Sequence, residues 1–505
     1  MKRRTLLCAG AAMLSLPVLT QARTAAALSN AVTVSCAAGH FRGVVSAEPL
    51  PVARFVGITY GSAPQARRFR EAERPPRANE LVDATEFRQA CAQPGRSLRE
   101  TTEDCLSLNI WTPLDALQTG EKRAVMVYIH GGAYTSGSAT DPVHDGRFLA
   151  AQEQVVVVSV NHRLNVLGYL YLDSVFPELA GSGNRGQTDL VLALQWIQDN
   201  IRSFGGDPQC VTVFGQSGGG AKIATLMAMP AARGLFHRAI TMSGQQVTAS
   251  GPSNAGMRTK AFLQTLSGDP RDASLEALMS ALRSTPDPVL GGSLYMGPVL
   301  DMHTLFRHPF WPNAPEQSAE IPMMLGNTIS ETRAFYDPQG SVLKDLSFEN
   351  LASRIEREIK VDLLPAWIVA KFRARYPQET PISLFHRIVT ASRSWRGQVT
   401  EAEARARARH PVYVYQLNFR DAKHTDDIAL CLGTHLSEDP EVVAVSRRLM
   451  RHFADFARSG RPGWPEYDLA FRQTLVIDTQ DQVVSDPRRW ERELFGVVPY
   501  IQPGS

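Results

Sequence analysis

Val211-Thr212-Val213-Phe214-Gly215-Gln216-Ser217-Gly218-Gly219 is an apolar, β-branched run that meets a G-x-S-x-G turn, with helix-forming residues from Ala221 onward. A serine so placed sits on a sharp strand-to-helix corner, and its neighbours must be small because the backbone closes tightly there. The helix behind it aims backbone N–H groups and a positive dipole end at the place where an oxyanion would form. At ordinary glycine and serine usage a chance G-x-S-x-G arises in roughly one chain in seven of this length. The position between strand and helix is what gives this one weight, and no second match exists in the chain.

Outward from this corner, similar apolar runs recur at 124–129, 155–160, 239–242, 321–325 and 412–417. Continuous runs of this kind read as strands buried on both faces of a largely parallel sheet. Helical patterns lie between them, most clearly at 189–201 and 221–229. The alternation predicts an α/β fold with one wide sheet. The long stretches 251–323 and 347–409 read as mainly helical, outer layers or lids that shape a pocket. The Arg-Ala run 401–409 reads as a charged helical face. With no repeat, low-complexity tract or flexible linker, residues 28–505 read as a single domain.

Upstream, Val127-Tyr128-Ile129-His130-Gly131-Gly132-Ala133-Tyr134 is a strand ending in a glycine-rich turn. Such a turn lets backbone N–H groups approach a substrate oxygen, as the second half of an oxyanion hole requires. For an acid partner, Glu331 follows a strand end, where α/β folds gather functional groups, and Asp301 and Asp337 are its rivals. For a base, His424 follows the 412–417 strand and a short loop, with His410, His435 and His386 as alternatives among twelve histidines. His162 reads as structural.

Phe204-Gly205-Gly206-Asp207-Pro208-Gln209-Cys210, leading into the corner, resembles the active-site signature of the type-B carboxylesterase family. Glu103-Asp104-Cys105-Leu106-Ser107-Leu108-Asn109-Ile110-Trp111-Thr112-Pro113 is similar to that family's second signature, and 184–207 is close to it throughout. The similarity extends from about Val44 to Asp486-Pro487. The resemblance implies an α/β-hydrolase fold, a serine, glutamate and histidine triad, and no cofactor. Carried over residue by residue, Ser217 is the nucleophile, Glu331 the acid in Gly326-Asn327-Thr328-Ile329-Ser330-Glu331, and His424 the base in Lys423-His424-Thr425-Asp426-Asp427-Ile428. Gly132, Ala133 and Gly218 supply the oxyanion N–H groups, and Cys91 and Cys105 form the family's N-terminal disulfide. The order serine, acid, histidine is the one expected on this fold. Three departures stand out. Gln216 replaces a glutamate, so one negative charge near the His424 imidazolium is missing. The lead-in 418–423 is short and lacks glycines. Ser107 replaces an aromatic residue or threonine.

The chain has 505 residues, 44% hydrophobic and 20% charged, enough for a sizeable core. With 53 Lys+Arg against 50 Asp+Glu it lacks the basic surface of a nucleic-acid partner. Residues 1–27 have the layout of an export signal: Lys2-Arg3-Arg4, a greasy middle at 6–19, then small residues with cleavage after Ala22 or Ala27. Arg3-Arg4 resembles a twin-arginine signal, against an ordinary Sec signal, and a periplasmic or secreted bacterial protein is expected. No later stretch reaches 18 apolar residues, so no membrane span is expected. Cleavage at Ala27 removes four basic residues and no acid, turning 53 against 50 into 49 against 50. It also removes Cys8; with Cys91 and Cys105 paired, Cys36, Cys210 and Cys431 form an odd set.

The other motifs are weak. Gly181-Ser182-Gly183-Asn184-Arg185-Gly186 matches G-x-G-x-x-G without a strand before it. Ser341-Val342-Leu343-Lys344 matches S-x-x-K without a K-T-G partner. No histidine pair or Cys-x-x-Cys has metal-ligand spacing. The expected function is hydrolysis of a small-molecule ester. Amides, carbamates and thioesters share the chemistry, and a non-catalytic binding or adhesion module is the rival class. Such modules lack a triad member, whereas all three candidates are present here. Substrate and oligomeric state are left open by the sequence.

Overall fold

The structure is a computed structural model and describes residues 30–47 and 50–504. The expected export segment, 1–27, lies outside the described residues. On the N-terminal side are β1 (Ala31–Cys36), β2 (Gly39–Ser46), β3 (Val52–Thr59), β4 (Leu81–Asp83), β5 (Ala90–Cys91), β6 (Thr101–Thr102) and β7 (Ser107–Pro113). Then come β8 (Arg123–Ile129), β9 (Val156–Val160), β10 (Gly206–Gln216), β11 (Arg238–Met242), β12 (Met323–Thr328), β13 (Val412–Leu417), β14 (Gln473–Ile477) and β15 (Gln482–Ser485).

Among the described residues thirteen of these strands form one sheet in the order β1-β2-β3-β7-β9-β8-β10-β11-β12-β13-β14-β15, with β4 beside β2. The run from β9 to β14 is parallel, and the antiparallel pairings lie toward the two ends. Side chains alternate across the sheet, and both faces are covered. Val125, Val127, Val211 and Val213 pack with Leu190, Leu194 and Ile197 of the helix Arg185–Asn200. Met126, Tyr128 and Phe214 pack on the other side with Val445, Leu449 and Phe453 of the helix Pro440–Ser459. Burial on both faces is why these strands read as unbroken apolar runs.

The helix Arg185–Asn200 is tied to the end of β9 by a buried fork. Arg163 donates from Nε and Nη2 to the two oxygens of Asp189, at 2.8 and 2.7 Å. Such bidentate pairs fix geometry as well as charge. Nearby, Cys91 and Cys105 are bonded, with Cα atoms 5.0 Å apart. Cys36, Cys210 and Cys431 are free.

Three expectations are corrected. The strand placed at 321–325 runs Met323–Thr328, because Pro322 carries no N–H for a ladder. The stretch 251–323 is helical only in its first half, at Pro252–Leu266 and Leu275–Ser284. Beyond that, Pro286, Pro288, Pro298, Pro309, Pro312 and Pro315 break any helix, and the chain is irregular to the turn Glu316–Ser318. The third concerns 401–409. It is helical to Ala408, in the helix Arg396–Ala408, but only part of its charge faces outward: Arg407 and Arg409 are exposed, whereas Glu401 and Arg405 are fully buried. Arg405 survives there by donating from Nη2 to the Ile321 carbonyl at 2.6 Å.

Candidate active site

β10 ends at Gln216 and a helix, Gly218–Leu226, begins at once, so Ser217 alone must turn the chain. It does so at φ 56° and ψ −123°, a conformation costly for a residue with a side chain, on the order of 1–3 kcal/mol. The surroundings enforce the corner. A Cβ on Gly219 would stand 2.0 Å from the Ile129 carbonyl oxygen, and one on Gly218 2.1 Å from that of Ala133. The Ser217 N–H donates to the Met242 carbonyl at 2.7 Å, binding the corner to β11.

The turn after β8 packs directly on this corner. Gly132 has φ 86° and Ala133 φ 50°. Among the described residues the N–H groups of Gly132, Ala133 and Gly218 donate to no other group of the protein. The turn is held from behind by Lys222, which is fully buried in the helix that follows the corner. Its Nζ donates to the carbonyls of His130 and Ala133 at 3.1 and 2.8 Å and lies 5.5 Å from the Tyr134 ring centroid. Burial without a carboxylate partner pulls its pKa down to about 7. His130 and His162 stack beside it, ring centroids 4.7 Å apart, and burial holds both far below the usual histidine range.

Glu331 opens a short 3₁₀ turn, Glu331–Ala334, just past β12, and is fully buried. Its Oε1 accepts from the Thr328 N–H at 2.9 Å, from the Thr328 hydroxyl at 2.8 Å, and from Ser243. Its Oε2 meets Nδ1 of His424 at 2.5 Å. Burial alone would raise this carboxyl. The charge of His424 and the hydrogen bonds from His424, Ser243 and Thr328 outweigh it and hold the group below the ordinary glutamate range. With Nδ1 donating to Glu331, Nε2 is the imidazole's acceptor.

The loop carrying His424 lacks the family's glycines, yet it takes left-handed backbone at Arg420, Asp421 and Thr425, with φ 53°, 56° and 80°. Local bonds hold it there. The Asp421 N–H donates to the Asn418 carbonyl at 2.9 Å, and Asp421 meets both Ser330 and Arg333. Gln216 fills the place of the missing glutamate, its Nε2 lying 3.3 and 3.2 Å from the two imidazole nitrogens. No hydrogen bond joins the Ser217 hydroxyl to His424 among the described residues. The Phe335 ring covers the imidazole at 4.6 Å between centroids.

Ser217, Ala133 and Gly218 line a cleft of about 150 Å³ together with Phe335, Gln245, Gln246 and Arg393. The structure thus brings the sequence candidates into one place. It gives four of the rivals other partners. Asp301 accepts from Asn184 at 2.9 Å and Thr304 at 2.7 Å, and Asp337 caps the Gln339 N–H. His410 stands 3.7 Å from Glu316, and His386 packs on Thr332. Four functional neighbours carry little sequence signal: Ser243, Phe335, Asp427 and Lys222. Asp427, buried near Glu331, is pushed up to about 7, first by burial and then by the Glu331 charge. Lys222 was visible only as a lone charge in a helix of small and apolar residues. Among the described residues no cluster of His, Cys, Asp or Glu is placed to hold a metal ion, and no helix is long and apolar enough to cross a membrane.

Comparison with known proteins places the chain in one family. The carboxylesterase family matches residues 29–492. The chain is 33% identical over 480 residues to the para-nitrobenzyl esterase of Bacillus subtilis (strain 168), covering 88% of this chain and 94% of that one. The crystal structure of the Geobacillus stearothermophilus carboxylesterase at pH 6.2 superimposes with a TM-score of 0.80 at 31% identity, over 92% of this chain and 99% of the other. A solved PNB esterase gives a TM-score of 0.79 at 32% identity, over 91% and 99%. The chain belongs to the carboxylesterase family, has the α/β-hydrolase fold, and is a carboxylic ester hydrolase.

Proposed function

We propose that this hydrolase cleaves small-molecule esters through an acyl-enzyme, with Ser217 as nucleophile, His424 as base and Glu331 as the group that orients and stabilises the imidazolium. The observation that carries this reading is the 2.5 Å contact between His424 Nδ1 and the buried Glu331, with His424 also touching Gln216, the residue before Ser217. In the first half-reaction His424 Nε2 takes the Ser217 proton as Oγ attacks the carbonyl carbon. The resulting oxyanion is met by the N–H groups of Gly132, Ala133 and Gly218, each such donor worth about 10²–10³ in rate at comparable sites. His424 then gives the proton to the departing alcohol, leaving the acyl group on Oγ. Water, deprotonated by the same nitrogen, releases the acid and restores the serine. Gln216 supplies no charge near the imidazolium, so Glu331 carries that stabilisation. Replacing Ser217→Ala should reduce hydrolysis of a p-nitrophenyl ester by about 10⁴-fold or more with the far-ultraviolet spectrum and Tm retained. Turnover at the parent rate would refute the assignment.

We also propose that the protein is exported, the segment 1–27 acting as its signal. The Cys91–Cys105 bond supports an oxidising compartment. A mature N-terminus beginning after Ala22 or Ala27, read by mass spectrometry of periplasmic material, is the expected result; an intact Met1 would refute it.

A further inference from the structure

Across the cleft from Ser217, the wall is uneven in polarity. Tyr134, Tyr295 and Phe335 give it aromatic surface, Gln245 and Ser394 give neutral polar groups, and Arg393 is its single charged side chain among the described residues. Arg393 belongs to the stretch Thr390–Trp395, a π-helical turn wedged between the helices Pro381–Val389 and Arg396–Ala408. Such turns widen a helix locally and recur at functional sites.

The guanidinium is related to the imidazole through the Phe335 ring. Its central carbon lies 5.4 Å from the Phe335 ring centroid, and that ring lies 4.6 Å from the His424 imidazole. The charge therefore stands no farther from the imidazole than those two spans laid end to end. A small acyl or alcohol group bridges that distance. The acidic neighbour of Arg393, Glu358, pairs with it at 3.7 Å, longer than a hydrogen bond, and also accepts from the Tyr336 hydroxyl. Nothing in the ester chemistry itself uses a cation there. The planar fork of an arginine matches a carboxylate, and part of this side chain, 31% of its surface, is open.

We infer that the cleft is built for esters whose acyl or alcohol portion carries a carboxylate or comparable anion, held by Arg393. This rests on the ester-hydrolase reading of the same cleft and adds the substrate class. The test compares two matched pairs, each a carboxylate and its methyl ester. On the acyl side these are mono-p-nitrophenyl glutarate and its neutral methyl ester; on the alcohol side, 4-acetoxybenzoate and its methyl ester. For the wild-type protein the anionic member should be preferred in kcat/KM by about tenfold or more in one of the pairs, the scale of a charge-assisted hydrogen bond. The pair that shows it tells which portion of the ester lies at Arg393. Arg393→Gln should bring that ratio to about one, and Arg393→Glu should invert it. A purely structural arginine would lower both members together and leave the ratio where it was, which overturns the inference. So does a wild-type protein that treats both members alike in both pairs, a result that requires no variant to fold. If instead the wild type turns over none of the four esters, the ester-hydrolase reading of the cleft fails first.

Discussion

Around Ser217, a methyl group on Gly215, Gly218, Gly219 or Gly244 would meet backbone oxygen at 2.5, 2.1, 2.0 and 2.0 Å. Across the cleft and outside it, Gly251, Gly256, Gly268, Gly291 and Gly292 have nothing within 4 Å of such a methyl. The serine side is made of strand ends and a helix start pressed backbone to backbone. The facing side is made of proline-broken chain, a π turn and short helices that pack through side chains. A reaction that needs an oxyanion donor placed to a few tenths of an ångström is served by the first kind of packing. A pocket that must fit one particular ester is served by the second, where side chains change without moving the nucleophile.

The sharpest way to break this comparison is one substitution made on both sides. Gly219→Ala puts a methyl into the Ile129 carbonyl, and neither backbone can yield without moving β8 or the corner. A destabilisation of about 3 kcal/mol or more is expected, with ester turnover lost. Gly256→Ala, inside the helix Pro252–Leu266, meets open space and should stabilise by about 0.5–1 kcal/mol through reduced chain entropy. Thermal melts of the two variants check this. Equal shifts would mean the two sides are not built differently.

Lys222→Met tests the serine side more gently, because the glycine turn stays sterically intact. Two carbonyls, the buried one of His130 and the part-buried one of Ala133, lose their donor, at about 1–3 kcal/mol for a buried group left unsatisfied. The turn that offers the Gly132 and Ala133 N–H groups would then be held less firmly. A fall in kcat of about tenfold to 100-fold is expected with KM little changed, since the loss falls on transition-state contacts. An unaltered kcat would show that Lys222 merely fills space.

The same contrast explains what was legible in the sequence. Ser217 and the turn at His130–Ala133 announce themselves locally, because glycines at fixed offsets from a buried strand have few other uses. Glu331 and His424 show locally only as an acid and a histidine past strands, each with rivals, and the family resemblance singles them out; the His424 loop reaches left-handed backbone with Arg420, Asp421 and Thr425 instead of glycine. Ser243 and Phe335 reach the site from distant chain positions, and no short-range pattern marks such a meeting. The stretch 251–323 leaves its helical pattern after Ser284 because six prolines from 286 to 315 break the chain. The run 401–409 departs from its pattern in another way. Alternating charge usually marks a solvated face, but here Glu401 and Arg405 are drawn inside by backbone partners, the Gln246 N–H and the Ile321 carbonyl.

Glu401 sits where the two sides meet, and it yields the smallest effect and the one most specific in pH. Its helix belongs to the outer layer, while its Oε1 accepts the Gln246 N–H at 2.7 Å beneath the cleft. Its Oε2 has no partner among the described residues. Burial raises this carboxyl to about 8, opposed only by the Gln246 N–H. The native state therefore keeps a proton that the unfolded chain releases near the ordinary value of 4.5. Between these two values the native state binds more protons than the unfolded one, so stability falls as pH rises, and the loss is complete above about 8. Glu401→Gln keeps the shape and an acceptor for Gln246 but has no proton to lose. Near pH 4.5 the variant and the parent should melt alike; at pH 9 the variant should melt about 5 °C higher. A difference that stays constant from pH 5 to 9 would mean that Glu401 is already ionised in the folded protein. The joint between the rigid side and the adaptable side would then be a permanent buried charge rather than a proton-dependent contact.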